Sequence, residues 1–369
     1  MTGLRDAIEQ QLTQIMGEVL GFQAVEPDED FFDLGGDSIQ ALELLTLIER
    51  RMKLKIPFHV LAQSSTVAHL AKVARNELNT REWSPLVELK SGSSASPLFL
   101  AAPSGGNVFC YRQLSDRLGT DRPVYGLQAP GIDGSRPLLT SVEEMAECYL
   151  KEVIRKQPRG PYYLGGWSFG ALVAYEMAVR LSVQGEPVAS LVVVDSAIRY
   201  SFRMVDAVLS EGGLGICGIL SQSLDDQVEV FRKRTRGSQI LPADADPELS
   251  RSIYKVCIQN IRAALEYRPR PFPGTLTLLE AEQKLARTRE TVEEEWRPLC
   301  REVVRYMVPG NHFTLISPPH VEHTAAALRN CLDAAPTFAP TTGTVWQSRK
   351  VADNDTSCGN YPIPTGPGD

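Results

Sequence analysis

The stretch Tyr162-Tyr163-Leu164-Gly165-Gly166-Trp167-Ser168-Phe169-Gly170 leaves a chain few choices. It begins as an apolar strand and turns through Gly-x-Ser-x-Gly. It then runs into Ala171–Leu181, good helix formers with no Gly or Pro. Glycines two before and two after the serine remove side chains where strand and helix crowd together. The order predicts a strand, a tight turn and a helix: a nucleophile elbow with a strained, exposed serine hydroxyl. The helix start behind Ser168 offers free N–H groups and positive partial charge to a developing oxyanion. The pentapeptide alone also suits ordinary turns, so the weight rests on the strand before it and the helix after it.

From Leu86 onward, strands alternate with helices. Leu86–Leu89 and Pro97–Ala102 read as a strand pair around the Ser/Gly-rich turn Ser91–Ser96. A helix over Phe109–Leu118, a strand at Val124–Leu127 and a helix over Val142–Arg155 lead to the elbow. The buried strand Ala189–Val194 follows it. This alternation predicts a mainly parallel sheet covered on both faces. Residues 200–271 break the pattern with helical segments and the glycines Gly212, Gly213, Gly215 and Gly218, and read as an inserted helical lid. Strands return at Thr275–Leu279 and Val303–Met307, and a last helix runs from near His320 to about Cys331. Residues 337–369, rich in Pro, Gly and Thr, read as a disordered tail or inter-domain connector.

A serine nucleophile needs a base, and histidine suits neutral pH. Past residue 85 the histidines are His312, His320 and His323. His312 follows the last strand through Pro-Gly-Asn, in a loop where ligands gather in open α/β sheets. His320 and His323 fit a helix start. Their i, i+3 spacing suits a metal, but no third ligand accompanies them, so no metal site is expected. An acid must orient the imidazole. Asp195 ends the strand after the elbow helix, and Glu280 and Glu282 end the next one. The order Ser, Asp, His is that of α/β-hydrolases. The oxyanion hole is expected from the N–H of Phe169 and of Ser104, in the loop Ala102-Pro103-Ser104-Gly105-Gly106-Asn107. That loop is not a Walker A loop, because no Gly-Lys-Ser/Thr follows.

The N-terminal part is different. Apolar residues at helical spacing run from Leu4 to Leu20, and an amphipathic helix is expected from Ile39 to about Met52. Short helices at His59–Ala62 and Val67–Leu78 complete a four-helix domain over 4–78, and 79–85 is a polar linker ending in Pro85. Between the first two helices lies Phe31-Phe32-Asp33-Leu34-Gly35-Gly36-Asp37-Ser38-Ile39. Asp37 and Ser38 alone would suit a helix cap.

The whole run, over residues 4–78, closely resembles the modification site of carrier domains in nonribosomal peptide synthetases and related assembly lines. The resemblance implies that Ser38 receives 4′-phosphopantetheine from coenzyme A by a phosphopantetheinyl transferase. An exposed serine at a helix N-terminus suits a phosphodiester. Residues from about Leu86 to Leu332, within a domain expected over 86–336, resemble the thioesterase domains that end nonribosomal peptide and polyketide assembly lines. The matching residues are Gly166–Gly170, Val193-Val194-Asp195-Ser196, Gly310-Asn311-His312-Phe313 and the helical insertion. In that family the acid follows the strand next to the elbow, which favours Asp195 over Glu280.

The expected fold is thus a small all-α carrier domain followed by an α/β-hydrolase domain with a helical lid. The resemblance implies release of an acyl or peptidyl thioester through acyl-Ser168, by hydrolysis or macrocyclisation, with upstream synthetase or synthase modules as partners. Editing of stalled chains, a free-standing serine esterase, and a non-enzymatic acyl carrier or docking protein are the alternatives. The net charge of −7 and pI near 5.5 argue against a nucleic-acid or anionic-membrane surface. Seven scattered cysteines without a Cys-x-x-Cys argue against a disulfide framework and fit a reducing compartment. With no apolar signal core or membrane-length stretch, a cytoplasmic protein is expected.

Overall fold

A computed structural model describes residues 2–23, 25–52, 56, 60–61, 64–76, 83–93, 96–134, 136–201, 205, 223–235, 247–283 and 292–334. The expected tail, most of the expected linker and much of the expected lid lie outside the described residues.

Among the described residues, the N-terminal domain contains the helices α1 (Thr2–Leu20), α2 (Ser38–Met52) and α3 (Val67–Asn76). Their apolar stripes meet in one core, where Leu12, Ile15 and Met16 join Leu42, Leu45, Ile48 and Leu70. The helix expected at His59–Ala62 is described only at Val60 and Leu61, both buried in that core. The loop before α2 folds on itself. The N–H groups of Leu34, Gly35 and Gly36 donate to the carbonyls of Asp30, Phe32 and Phe31. A Cβ on Gly36 would meet the Phe31 ring at 2.4 Å, so only glycine closes this turn.

The larger domain is a seven-stranded sheet in the order β1-β3-β2-β4-β5-β6-β7. The strands are β1 (Leu86–Lys90), β2 (Leu98–Ala101), β3 (Val124–Leu127), β4 (Tyr162–Trp167), β5 (Val188–Val194), β6 (Phe272–Gln283) and β7 (Cys300–Asn311). All neighbours pair parallel except β1 with β3. The central β2, β3 and β4 are buried at every residue, as expected for strands covered on both faces.

One expectation fails here: β1 and β2 do not pair with each other. β3 lies between them, and the stretch after β1 packs against the approach to β3. A Cβ on Gly92 would meet the Asp121 carbonyl at 2.3 Å, and Lys90 Nζ donates to the Thr120 carbonyl at 2.7 Å. Gly92 therefore serves a close crossing between the stretch after β1 and the approach to β3.

Helices α5 (Val142–Lys156) and α6 (Phe169–Val183) cover one face. The short α4 (Arg112–Arg117), entered through a 3₁₀ turn at Phe109–Tyr111, and α10 (Val321–Asp333) cover the other. Between β5 and β6 come α7 (Leu224–Thr235) and α8 (Pro247–Glu266), the helical insertion. A short α9 (Val292–Trp296) precedes β7. Cys148 on α5 is disulfide-bonded, whereas Cys110, Cys257, Cys300 and Cys331 are free. An odd, scattered set of cysteines argues against a framework of bridges but does not forbid a single one. Among the described residues, no helix is long and apolar enough to cross a membrane.

Candidate active site

Ser168 occupies the junction of β4 and α6 with φ 56° and ψ −130°. A side chain in that region is strained, and the surrounding packing must hold it. Two glycines make the packing possible. A Cβ on Gly166 would lie 2.3 Å from the Gly170 backbone, and one on Gly170 would lie 2.1 Å from the Ala101 carbonyl oxygen. The Ser168 N–H donates to the Val194 carbonyl at 3.1 Å, which locks the turn to β5. Its side chain does not cap α6.

The three residues predicted to act together meet. His312 Nε2 lies 3.1 Å from Ser168 Oγ, and His312 Nδ1 lies 2.8 Å from Asp195 Oδ2. Asp195 stands at φ 44°, just past the end of β5. Its other oxygen accepts the Ala281 N–H at 2.9 Å, and its own N–H donates to Leu279 at 2.8 Å. Asp195 is thus fixed by the neighbouring strand β6. His312 is fixed by the elbow, since Trp167 Nε1 donates to the His312 carbonyl at 3.0 Å. The indole and imidazole centroids are 5.4 Å apart, and Phe313 meets the imidazole edge-on at 5.1 Å. Asn311 folds the loop by accepting from the N–H groups of Phe313 and Thr314.

The other candidates lie elsewhere. Glu280 is 1% exposed and forms an ion pair with Arg305. Glu282 is exposed. His320 and His323 lie at the start of α10, where His320 packs against Gly310. Among the described residues, no group of three or more His, Cys, Asp or Glu side chains is arranged to hold a metal ion.

No hydrogen bond among the described residues takes the N–H of Phe169 or of Ser104. The loop carrying Ser104 is pinned, because Gly106 donates to the Pro103 carbonyl at 2.8 Å. From α8, buried Asn260 donates to the Ser104 carbonyl at 2.9 Å, so the insertion grips this loop. Burial pushes the Cys257 thiol up to about 11, partly offset by its hydrogen bond with the Ser104 side chain.

Several residues at the site escaped the sequence reading. The Tyr111 hydroxyl donates to the Ala101 carbonyl at 2.7 Å and accepts the Trp167 N–H at 2.8 Å, joining β2 to the residue before the nucleophile. Burial pushes this phenol well above its usual range, which keeps it protonated. Tyr200 also faces the site. Burial raises its phenol, and its interactions with Ser196 and Ser168 oppose the rise. No local pattern marks Tyr111 or Asn260, whose partners Trp167 and Ser104 lie far away in the chain.

Ser38 begins α2. Asp37 caps that helix, accepting from the N–H groups of Ile39 and Gln40 at 2.8 Å each, while Gln40 Oε1 accepts the Asp37 N–H at 3.1 Å. The Ser38 hydroxyl therefore has no capping duty, and no hydrogen bond among the described residues takes it. A free hydroxyl at a helix start suits attachment of a phosphodiester. Contrary to expectation, Ser38 is only 9% exposed.

Comparison with known proteins agrees with both halves. The phosphopantetheine attachment site pattern matches residues 10–74, and the thioesterase domain pattern matches residues 96–332, more than half of the chain. A dimodular nonribosomal peptide synthase of Bacillus subtilis (strain 168) is 30% identical over 303 residues. That match covers 80% of this chain and 12% of the synthase, so the chain spans a small part of such relatives. A four-domain nonribosomal peptide synthetase, solved in its holo form with AMP and glycine, superposes with a TM-score of 0.60 at 27% identity. It covers 90% of this chain, which spans 26% of it. The NocB thioesterase domain, in covalent complex with a fluorophosphonate nocardicin G analog, gives a TM-score of 0.51 at 28% identity, covering 65% of this chain and 95% of its own. The chain belongs to the thioesterase-domain family and joins its thioesterase to a phosphopantetheine carrier domain, as nonribosomal peptide synthetases do.

Proposed function

We propose that this didomain ends an assembly line, with a carrier over 4–78, a linker over 79–85 and a thioesterase over 86–336. 4′-Phosphopantetheine attached to Ser38 supplies the thiol that holds an acyl or peptidyl group as a thioester. His312 Nε2 takes the Ser168 proton as Ser168 Oγ bonds to the thioester carbonyl carbon. The carbon–sulfur bond breaks, and the proton passes from His312 to the leaving sulfur. That leaves an ester on Ser168. Asp195 holds the imidazole in place and stabilises its charged form. The N–H groups of Phe169 and Ser104 are the oxyanion donors, each worth about 10²–10³ in rate. Water, or an amine or hydroxyl within the substrate, then attacks the ester, again with His312 as base. Upstream modules would supply the acyl chain, and a phosphopantetheinyl transferase would modify Ser38.

The unbroken run from Ser168 Oγ through His312 to Asp195, at 3.1 and 2.8 Å, supports this reading most strongly. Intact-mass measurement tests it. Coenzyme A and a phosphopantetheinyl transferase should add one arm to the parent and none to Ser38→Ala. A serine-reactive fluorophosphonate should label the parent and not Ser168→Ala. A full arm on Ser38→Ala, or labelling of Ser168→Ala at the parental rate, would remove the corresponding half of the proposal.

A further inference from the structure

We propose that Phe109 and Arg112, at the entrance to α4, form the seat on which the thioesterase receives the carrier loop Asp30–Gly36 during acyl delivery. The inference rests on the carrier–thioesterase reading above and adds where the two domains meet.

The contact has matched chemistry. The Phe32 ring stacks on Phe109 with centroids 6.3 Å apart and planes 29° apart. The Arg112 guanidinium lies over the Phe32 ring, 4.9 Å from its centroid, and approaches Asp30 at 3.8 Å. Stacking and cation–π contact favour Arg at such a place. Each side is also held by contacts within its own domain. Asp30 is fixed by the N–H groups of Phe32 and Ser65, at 3.0 and 3.4 Å. Arg112 donates to the Leu89 carbonyl at 3.0 Å and pairs with Asp116 at 3.5 Å. Just beyond α4, the Leu118 carbonyl accepts from Arg329 of α10, and Arg117 pairs with Glu322, so the seat belongs to the rigid body of the thioesterase. Preorganised partners lose less freedom on docking.

Location gives the contact a function. Phe32 lies six residues before Ser38, within the turn closed by its own backbone. Phe109 lies two residues after Asn107, at the end of the loop that carries Ser104. Tyr111 reaches from the same 3₁₀ turn to the Trp167 N–H. Seat, oxyanion loop and elbow support thus share residues 103–112. Asp30 of the carrier approaches Arg112 at 3.8 Å, while Asp116 on α4 is held above its ordinary value by burial first and by Asp33 and Asp30, against the pull of Arg112 and Arg117. Contacts between domains of one chain ordinarily permit relative motion, and the tether keeps a released carrier at about millimolar effective concentration.

The full chain tests this with Phe32→Ala on the carrier and Arg112→Met on the thioesterase. In the unmodified chain, ¹⁵N relaxation reports whether the carrier tumbles with the larger domain. Both variants should show faster carrier tumbling than the parent. After loading, clearance of the acyl group from the carrier should slow about tenfold, because the tether still supplies encounters. Hydrolysis of a small soluble acyl thioester by Phe32→Ala should match the parent, since that substrate needs no dock. Unchanged carrier tumbling in both variants would overturn the seat, as would parental clearance in both. Equal loss of soluble-thioester hydrolysis in Phe32→Ala would also overturn it. If Phe32→Ala unfolds the carrier, Arg112→Met decides. If the parent itself cleaves no thioester, the release reading fails, while the relaxation result still decides the seat.

Discussion

Two serines stand at helix starts in this chain, and they differ in almost everything else. Ser38 has a local environment built within a few residues, with Asp37 as the cap and its hydroxyl without a hydrogen-bond partner among the described residues. Ser168 has a strained backbone, no capping role and a hydroxyl held by a histidine 144 residues away. That histidine is oriented by an acid 117 residues from it. A hydroxyl that only receives a group from another enzyme needs no base of its own. A hydroxyl that must attack needs a base and an orienting acid, and only the whole sheet brings these together. The helix dipole is common to both, so it cannot be what sets Ser168 apart from Ser38.

The largest test of this difference is Ser168→Ala. Turnover of a soluble thioester should fall by about 10⁶, the loss seen when a triad serine is removed. Ser38→Ala should leave the same turnover unchanged. Steady-state kinetics check both, and equal losses would erase the distinction. Next is Asp195→Asn, which keeps the shape but not the acid and should cost about 10⁴ in turnover. Glu280→Gln should cost little turnover, because Glu280 is engaged with Arg305. The reverse ranking would move the acid to β6.

Tyr111→Phe probes how far the elbow depends on support from outside its own segment. It leaves the Trp167 N–H and the Ala101 carbonyl without their bridge, at a cost of about 1–3 kcal/mol. Misplacement of a nucleophile by about 1 Å can cost 10²-fold, so kcat should fall about tenfold or more with KM little changed. A lowered melting temperature with parental kcat would make Tyr111 a purely structural bridge. The smallest effect is expected at Ser38's own support. Asp37→Ala should destabilise the carrier by about 1 kcal/mol. Thermal unfolding should show that loss, with soluble-thioester turnover unaffected. A matching loss of turnover would mean that the two serine environments are not independent.

Much of this was legible in the sequence wherever the determinant is local. The elbow is written in Gly166, Ser168 and Gly170, whose spacing meets a steric demand within one turn. The cap of α2 is written in Asp37 and Gln40. His312 stood out through its place after the last strand. The pairing of β1 with β3 was not legible, because a strand pattern gives the faces of a strand but not its neighbour. Tyr111 and Asn260 were hidden for a related reason. Their partners lie 56 and 156 residues away, and a buried tyrosine or asparagine looks the same in sequence whether or not it supports a site. The low exposure of Ser38 also depends on packing that no helix pattern encodes.

The relay between the two serines is tested most directly by following one acyl group through the chain. The protein is loaded at Ser38, quenched at intervals and mapped by peptide mass spectrometry. In the parent, the group should leave the Ser38 peptide, pass through the Ser168 peptide and be released. In Ser168→Ala it should remain on the Ser38 peptide. Clearance by Ser168→Ala at the parental rate would contradict covalent transfer to Ser168.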